Sequence, residues 1–315
     1  MTHRLERIMV LCVAAVTGLA VTTGCTQDKN AERLSLSEQF SKIITQAHLT
    51  EFYGGSISTK NLVVLHADYE GRPAELSLDD DNNLQVYDWK GASLEGKRSI
   101  QNFDISLLEP ALHNANENSD NCRLVSLHFD FSPTGSQMQY AYCFPVGRGG
   151  EDYIVGSSVL DGESLVEGPD VRNPDHVAQL ARVYDKMLPG GVMVDWTLSF
   201  GRPENQDAYG PKTTNIQGES CMPTMRSSAT EITTYNVGCG GLPAYNEQPF
   251  HLSNFDPNLV NIVADRLAEA GIDINQAMTL DFYSQDGTNL TYKLTTLQAS
   301  GMLNPATTGT ITPTK

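Results

Sequence analysis

Cys122, Cys143, Cys221 and Cys239 are the residues of this 315-residue chain whose chemistry can be argued from spacing. Thiols in an oxidising compartment pair off, and four of them allow three connectivities. Strand parity chooses among these. Val125, Leu127, Phe129 and Phe131 alternate along one run, and Met138, Tyr140, Tyr142 and Phe144 along the next. Ser132-Pro133-Thr134-Gly135 between them makes a hairpin turn. Cys122 and Cys143 have the opposite parity to these apolar sets, so both sulfurs are expected to point away from the core, near the open end of the hairpin. A Cys122–Cys143 bond follows, and Cys221–Cys239 is the pair that remains. By loop entropy each bond is worth ~3 kcal/mol.

The other reactive side chains form no recognisable machinery. The histidines are His3, His48, His66, His113, His128, His176 and His251, with no pair at metal-binding helical spacing and no HExxH. His128 is expected on the outer hairpin face with Cys122, Ser126 and Asp130, but exported cysteines at this spacing read as a disulfide, not as metal ligands. No GxSxG occurs; Gly162-Glu163-Ser164 and Gly218-Glu219-Ser220 are fragments of it that read as turns. Cys221 or Cys239 with His251 would imitate a thiol nucleophile only if unbridged. Asp79, Asp81 and Asn83 open like a calcium loop, yet Leu84 and Lys90 stand where glycine and glutamate are needed, so a solvated turn is expected. No spacing singles out a carboxylate pair for sugar hydrolysis. The expectation is therefore no catalytic residue, no cofactor and no metal.

The first 25 residues carry an address. Arg4 and Arg7 give a positive start, and Ile8 to Val21 is an apolar run of 14 residues. That is too short for a helix to span a hydrocarbon core of ~30 Å. Val21-Thr22-Thr23-Gly24-Cys25 follows, and it resembles the lipobox of bacterial lipoproteins, with Thr22 where leucine is commonest. The resemblance implies cleavage before Cys25 and a diacylglycerol on its sulfur, so the lipid anchor would be Cys25. Residues 1–24 would be the signal peptide and 25–34 a short tether.

Charge narrows the partners. The chain carries 21 basic and 38 acidic residues, net −17; without Arg4, Arg7 and Glu6 of the signal these become 19 and 37, net −18. Such a surface repels phosphate backbones and anionic headgroups, so no nucleic acid partner is expected and membrane attachment falls to the lipid.

The body reads as helices alternating with antiparallel strands. Ser35 to Glu38 is a capping box opening a helix over Ser37 to Ala47. Leu62 to Tyr69, Ala74 to Leu78 and Leu84 to Trp89 form a meander. A second helix is expected from Ser106 to Ala115, strained by Pro110. Asn173-Pro174 opens a third helix, with Val177, Leu180, Ala181, Tyr184 and Met187 as its stripe, followed by a strand from Val192 to Phe200. Asp256-Pro257 opens a fourth, reaching Ala270, and the hairpin of Met278, Leu280, Phe282 and Leu290, Tyr292, Leu294 comes after it. Residues 201–228 remain unassigned, and 304–315 are expected to be disordered.

An internal repeat is also legible. Asn102-Phe103-Asp104-Ile105-Ser106-Leu107 matches Asn254-Phe255-Asp256-Pro257-Asn258-Leu259, each followed by a helix and a hairpin, with Tyr140 and Tyr292 in register at an offset of 152. The expected fold is α+β, in two tandem lobes (35–166 and 167–303), each with helices packed on a curled antiparallel sheet. This order resembles the PepSY-type or cystatin-like small α+β modules of bacterial envelope proteins. The functional expectation is a lipid-anchored envelope protein with a non-enzymatic binding, inhibitory or assembly role, at the outer face of the cell membrane or in an outer membrane. Its partners would be the membrane, through the anchor, and an envelope protein or wall ligand. The alternatives are an envelope hydrolase acting on wall or carbohydrate material, and a carrier of a lipid or other hydrophobic ligand.

Overall fold

Ser35 opens the folded body of the computed structural model. Its hydroxyl accepts from the Glu38 amide while the Glu38 carboxylate accepts from the Ser35 amide at 2.8 Å, closing the expected capping box. The helix it starts, α1 (Leu36–Ala47), buries Leu36, Phe40, Ile43 and Ala47 at helical spacing. The structure describes residues 34–89, 96–132, 135–165, 168–200, 206–211, 213–214, 220–227, 232–239, 247–252, 255–271, 277–296 and 307–311. The signal-like segment, the lipobox-like residues and Cys25 lie outside these.

The first sheet is built from short strands. After α1 come β1 (Glu51–Phe52), β2 (Gly54–Ser58), β3 (Val63–Tyr69), β4 (Arg72–Leu78), β5 (Leu84–Asp88) and β6 (Arg98–Ser99). A 3₁₀ turn over Ile105–Leu108 then runs into α2 (Glu109–Glu117), followed by β7 (Cys122–Phe131), β8 (Gln137–Pro145), β9 (Asp152–Tyr153), β10 (Val159–Leu160) and β11 (Glu163–Ser164). The first large sheet has the order β11-β10-β8-β7-β2-β3-β4-β5, all antiparallel. Strands β2 and β7, one from the segment after each helix, sit at the centre, and each meander runs outward from there. Strand β2 is absent from the sequence-based expectation. Its sequence Gly54-Gly55-Ser56-Ile57-Ser58 has little apolar alternation, and it is a strand because it lies between β3 and β7.

The second set contains α3 (Pro174–Met187), β12 (Val192–Met193), β13 (Asp195–Ser199), β14 (Gln206–Tyr209), β15 (Thr213–Thr214), β16 (Ser220–Ser227), β17 (Ile232–Cys239), β18 (Phe250–His251), α4 (Leu259–Glu269), β19 (Ala277–Ser284), β20 (Leu290–Thr296) and β21 (Thr307–Ile311). Its large sheet runs β15-β16-β14-β13-β19-β20-β21, with β17 also paired to β16. Here too the first long strand after each helix, β13 and β19, is central and antiparallel to the other.

Each sheet buries one face under its helices. Phe129 and Phe131 of the first, with Phe52 of β1, which pairs separately with β6, pack with Phe40 of α1 and with Phe103, rings 5.0 to 6.3 Å apart. Trp196 and Phe282 of the second pack with Tyr184 of α3 and with Phe255. Met138, Leu160 and Leu165 of the first set join this second core, and Lys186 and Arg182 of α3 pair with Asp161 and Glu163 beside β10 and β11. The fold is thus α+β with antiparallel sheets, as expected.

Several local expectations need correction. Pro110 sits in the first turn of α2, where its missing N–H breaks no helical bond, so the strain disappears. Helix α4 starts at Leu259; Asp256 and Pro257 form the turn before it, where Asp256 Oδ1 accepts from the Asn258 amide at 2.8 Å. Residues 307–311 of the tail are not disordered. They form β21 on the edge of β20, because Thr307, Thr308, Thr310 and Ile311 suit an extended edge and Gly309 fits against the Tyr292 hydroxyl.

The largest correction concerns the hairpin. Val125, Leu127 and Phe129 lie opposite Cys143, Ala141 and Gln139, so the odd-numbered residues of β8 share the core face. Tyr140 and Tyr142 stand on the other face, opposite His128 and Ser126. Aromatic alternation is a poor guide here, because a tyrosine can cover a half-exposed polar face as readily as a core.

Candidate binding faces and pocket

The cysteines show how register overrides parity. Cys122 and Cys143 are joined, Cα atoms 5.4 Å apart, as the sequence predicts. Their orientation is the reverse of the expected one, however. Cys143 belongs to the buried core, at 8 % exposure, and a bulge between Cys122 and Leu124 brings Cys122 against the same core. For Cys221 and Cys239 the register makes them direct Cα partners of β16 and β17. His251 lies on β18, paired with β12, and is exposed. Asp79 spends its carboxylate on its own turn, accepting from the amides of Asp81 and Asn83 at 3.0 and 2.8 Å, and these hydrogen bonds, that of Asn83 above all, hold its pKa below the usual value. Among the described residues no group of three His, Cys, Asp or Glu side chains is arranged to hold a metal.

A row of residues crosses the face of the first sheet opposite α1 and α2, a face whose β8 and β10 end packs into the second core. In that row Tyr87, Glu75, His66, Gly54, Asp130, Met138 and Leu160 are successive cross-strand partners. His66 Nε2 stands 3.6 Å from Glu75 Oε2, and this pairing outweighs burial to hold the Glu75 carboxyl below its ordinary pKa. Trp89 lies flat on the His66 ring, centroids 4.5 Å apart. Burial pushes the Asp130 carboxyl upward, opposed by His66 and by the Tyr140 hydroxyl, which donates to Asp130 Oδ2 at 2.9 Å.

In the next row His128 stacks on Tyr140 at 5.5 Å, meets Tyr142 edge-on, and has Ser126 Oγ 3.3 Å from its Nε2. Burial, helped by the charge of His66, pushes its pKa down to about 4, so it is neutral at pH 7. Serine and histidine at this distance resemble part of a nucleophile–base pair, but Ser126 is only 7 % exposed, so a substrate has no access to it.

A pocket of about 390 Å³ opens beside this face. The end of α1 forms one wall, and Glu51, Tyr53, Asp68, Tyr69, Glu70 and Lys97 line the rest. Lys97 Nζ lies 2.7 Å from Glu51 Oε1 and 3.0 Å from Asp68 Oδ2, over the Tyr53 ring at 5.2 Å. Burial works against its charge, but the two carboxylates outweigh that and raise its pKa. Three carboxylates, one ammonium and the carbonyl end of a helix leave the pocket net negative.

The second sheet presents a comparable polar face. Arg226, Asp207, Thr197, Asp281, Lys293 and Thr308 form one row of partners; Tyr209, Asp195 and Tyr283 form another. Thr197 Oγ1 donates to Asp195 Oδ1 at 3.2 Å. Burial, reinforced by the neighbouring Asp281 charge, pushes Asp195 up to about 7, and burial also raises Asp281. The clue in the sequence was available: polar residues alternate with the apolar ones at Asp195, Thr197, Asp281 and Lys293, but alternation marks an outward face without saying which outward groups meet. No protein-family model matches this chain, and no curated protein matches it.

Proposed function

We propose that this chain is a lipid-anchored envelope protein built of two related α+β lobes, 35–166 and 167–303, with a non-enzymatic binding role centred on the pocket around Lys97. Duplication is supported by the two sheets growing outward in the same way from a central antiparallel pair. It is also supported by Phe103 and Phe255, which precede α2 and α4 and enter their cores alike. The offset needs adjustment. Leu127 and Phe129 correspond to Leu280 and Phe282 at 153, so Tyr292, on the core face opposite Phe282, answers to Gln139 and not to Tyr140.

The observation that carries the binding reading is Lys97 itself. Its ammonium is gripped by two carboxylates over a tyrosine ring, which is the chemistry by which a protein recognises a cationic group. An amine from an envelope protein or a wall peptide would meet Glu70, Tyr69 and the carbonyl end of α1 beside it. Calorimetry with a short lysine-bearing peptide tests this. Binding that Glu70→Gln weakens supports the site, and binding indifferent to Glu70→Gln and Glu51→Gln removes it. The anchor is tested separately: Cys25→Ala should move the protein from the membrane to the aqueous fraction.

One observation favours a second reading, the hydrolase. Asp195, raised to about 7 beside a second buried carboxyl, Asp281, is the kind of proton-holding group that glycoside cleavage uses as its acid. Release of sugar from wall material, abolished by Asp195→Asn and by Asp281→Asn, would establish it over binding alone.

A further inference from the structure

We infer that the body rests on the bilayer through one face, with Leu62 and Leu107 dipping into the interface. This rests on the anchor at Cys25 proposed above. The folded body begins at Leu34, nine residues after Cys25, and nine extended residues reach about 30 Å at most, so one side of the body is held near the membrane.

The structure identifies that side. Gln39 Nε2 donates to the Leu34 carbonyl at 2.9 Å and to the Asn61 carbonyl at 2.5 Å, which fastens the point of chain entry to the turn between β2 and β3. Leu62, next in that turn, is 43 % exposed. Ser35, Leu36 and Asn61 also share a pocket of about 460 Å³ with Glu109, Leu112 and Asn116 of α2. Two residues before Glu109 stands Leu107, 74 % exposed and so the most exposed large apolar side chain among the described residues. Two of the five such side chains exposed in the described body therefore flank the place where the tether joins it.

Charge cannot hold this face down, because the acidic body is repelled by anionic headgroups. Two leucines are also too few to bind a free protein to lipid. A tether changes the balance by keeping the face at high effective concentration next to the surface. The occupant of the face is therefore the bilayer interface, reached only when the anchor is in place.

The test uses full-length protein purified from a lipidating bacterial host and placed in phosphatidylcholine vesicles with brominated acyl chains. Tryptophan is introduced as Leu107→Trp, as Leu62→Trp, and as Tyr87→Trp, an exposed control on the edge strand β5. Emission of the parent protein, from Trp89 and Trp196, is subtracted. The added tryptophans at 62 and 107 should lose roughly half their emission, as bromine within the interface requires, while the one at 87 stays unquenched. The mass of the Cys25 peptide is read on the same samples. Acyl mass with no quenching at 62 and 107, or with equal quenching at 87, overturns the docking face and leaves the anchor standing. A peptide without acyl mass overturns both.

Discussion

The Asp130 carboxylate occupies the space that a side chain on Gly54 would fill. The two residues are cross-strand partners on β7 and β2, and a Cβ on residue 54 would come within 2.9 Å of Asp130 Oδ1 and run into the Phe129 carbonyl oxygen. Gly55 is equally enclosed, with the Val64 carbonyl where its Cβ would be. The central strand therefore passes between its neighbours because it lacks side chains there.

Gly55→Ala is expected to cost roughly 2–4 kcal/mol, since the obstacle is main chain and cannot swing aside. Gly54→Ala should cost a similar amount and release the Tyr140–Asp130 hydrogen bond. Urea unfolding midpoints measure the cost; a loss under about 0.5 kcal/mol at Gly55 would show that β2 does not lie between β3 and β7.

His128 makes stability fall in acid. Its pKa is about 4 in the folded chain and near 6.5 unfolded, so the unfolded state binds the extra proton between these values. Its contribution is complete above about pH 6.5 and is lost as pH falls toward 4. His128→Phe keeps a ring against Tyr140 and removes the titration. Unfolding free energies from pH 7 to 4 should fall about 3 kcal/mol less in the variant.

Asp195 acts in the opposite direction. A carboxyl raised to about 7 from an ordinary value near 4 is protonated in the native state while the unfolded chain has ionised, so stability is lost as pH rises from about 4 to 7. Asp195→Asn should gain roughly 3–4 kcal/mol at pH 8 and nothing near pH 4. Melting curves at the two pH values distinguish this from a gain independent of pH.

The disulfides give a covalent check. Non-reducing mass mapping should find Cys122 joined to Cys143, and the Cα register of β16 and β17 leads us to expect Cys221 joined to Cys239. Replacing Cys122 and Cys143 together by serine opens a link spanning 21 residues and should cost about 3 kcal/mol.

Helix positions were legible because capping and 3.6-residue periodicity are local: Ser35 with Glu38, and Asn173 with Pro174, mark the starts of α1 and α3 in the chain itself. The meander and its Asp79 turn were legible for the same reason, with Asp79 accepting from the amides of Asp81 and Asn83. Strand β2 was not, since Gly54 and Gly55 carry no apolar signal and are defined by neighbours distant in sequence. The polar rows on the outer sheet faces were hidden as well. Local pattern marks Glu75, His66 and Asp130 as outward residues, but only the pairing of β4, β3, β2 and β7 puts them in one line.

By itself, then, the amino-acid order determined the α+β class, the starts of α1 and α3, the Cys122–Cys143 partnership and the acidic surface, all of which come from neighbours along the chain or from simple counting. Tertiary structure decided which face of the β7–β8 hairpin is buried, that Thr307–Ile311 is a strand, and that Lys97 meets Glu51 and Asp68. The reason is physical. A strand shows its two faces in sequence without saying which is inside, and that choice is made by the helices and strands that pack against it.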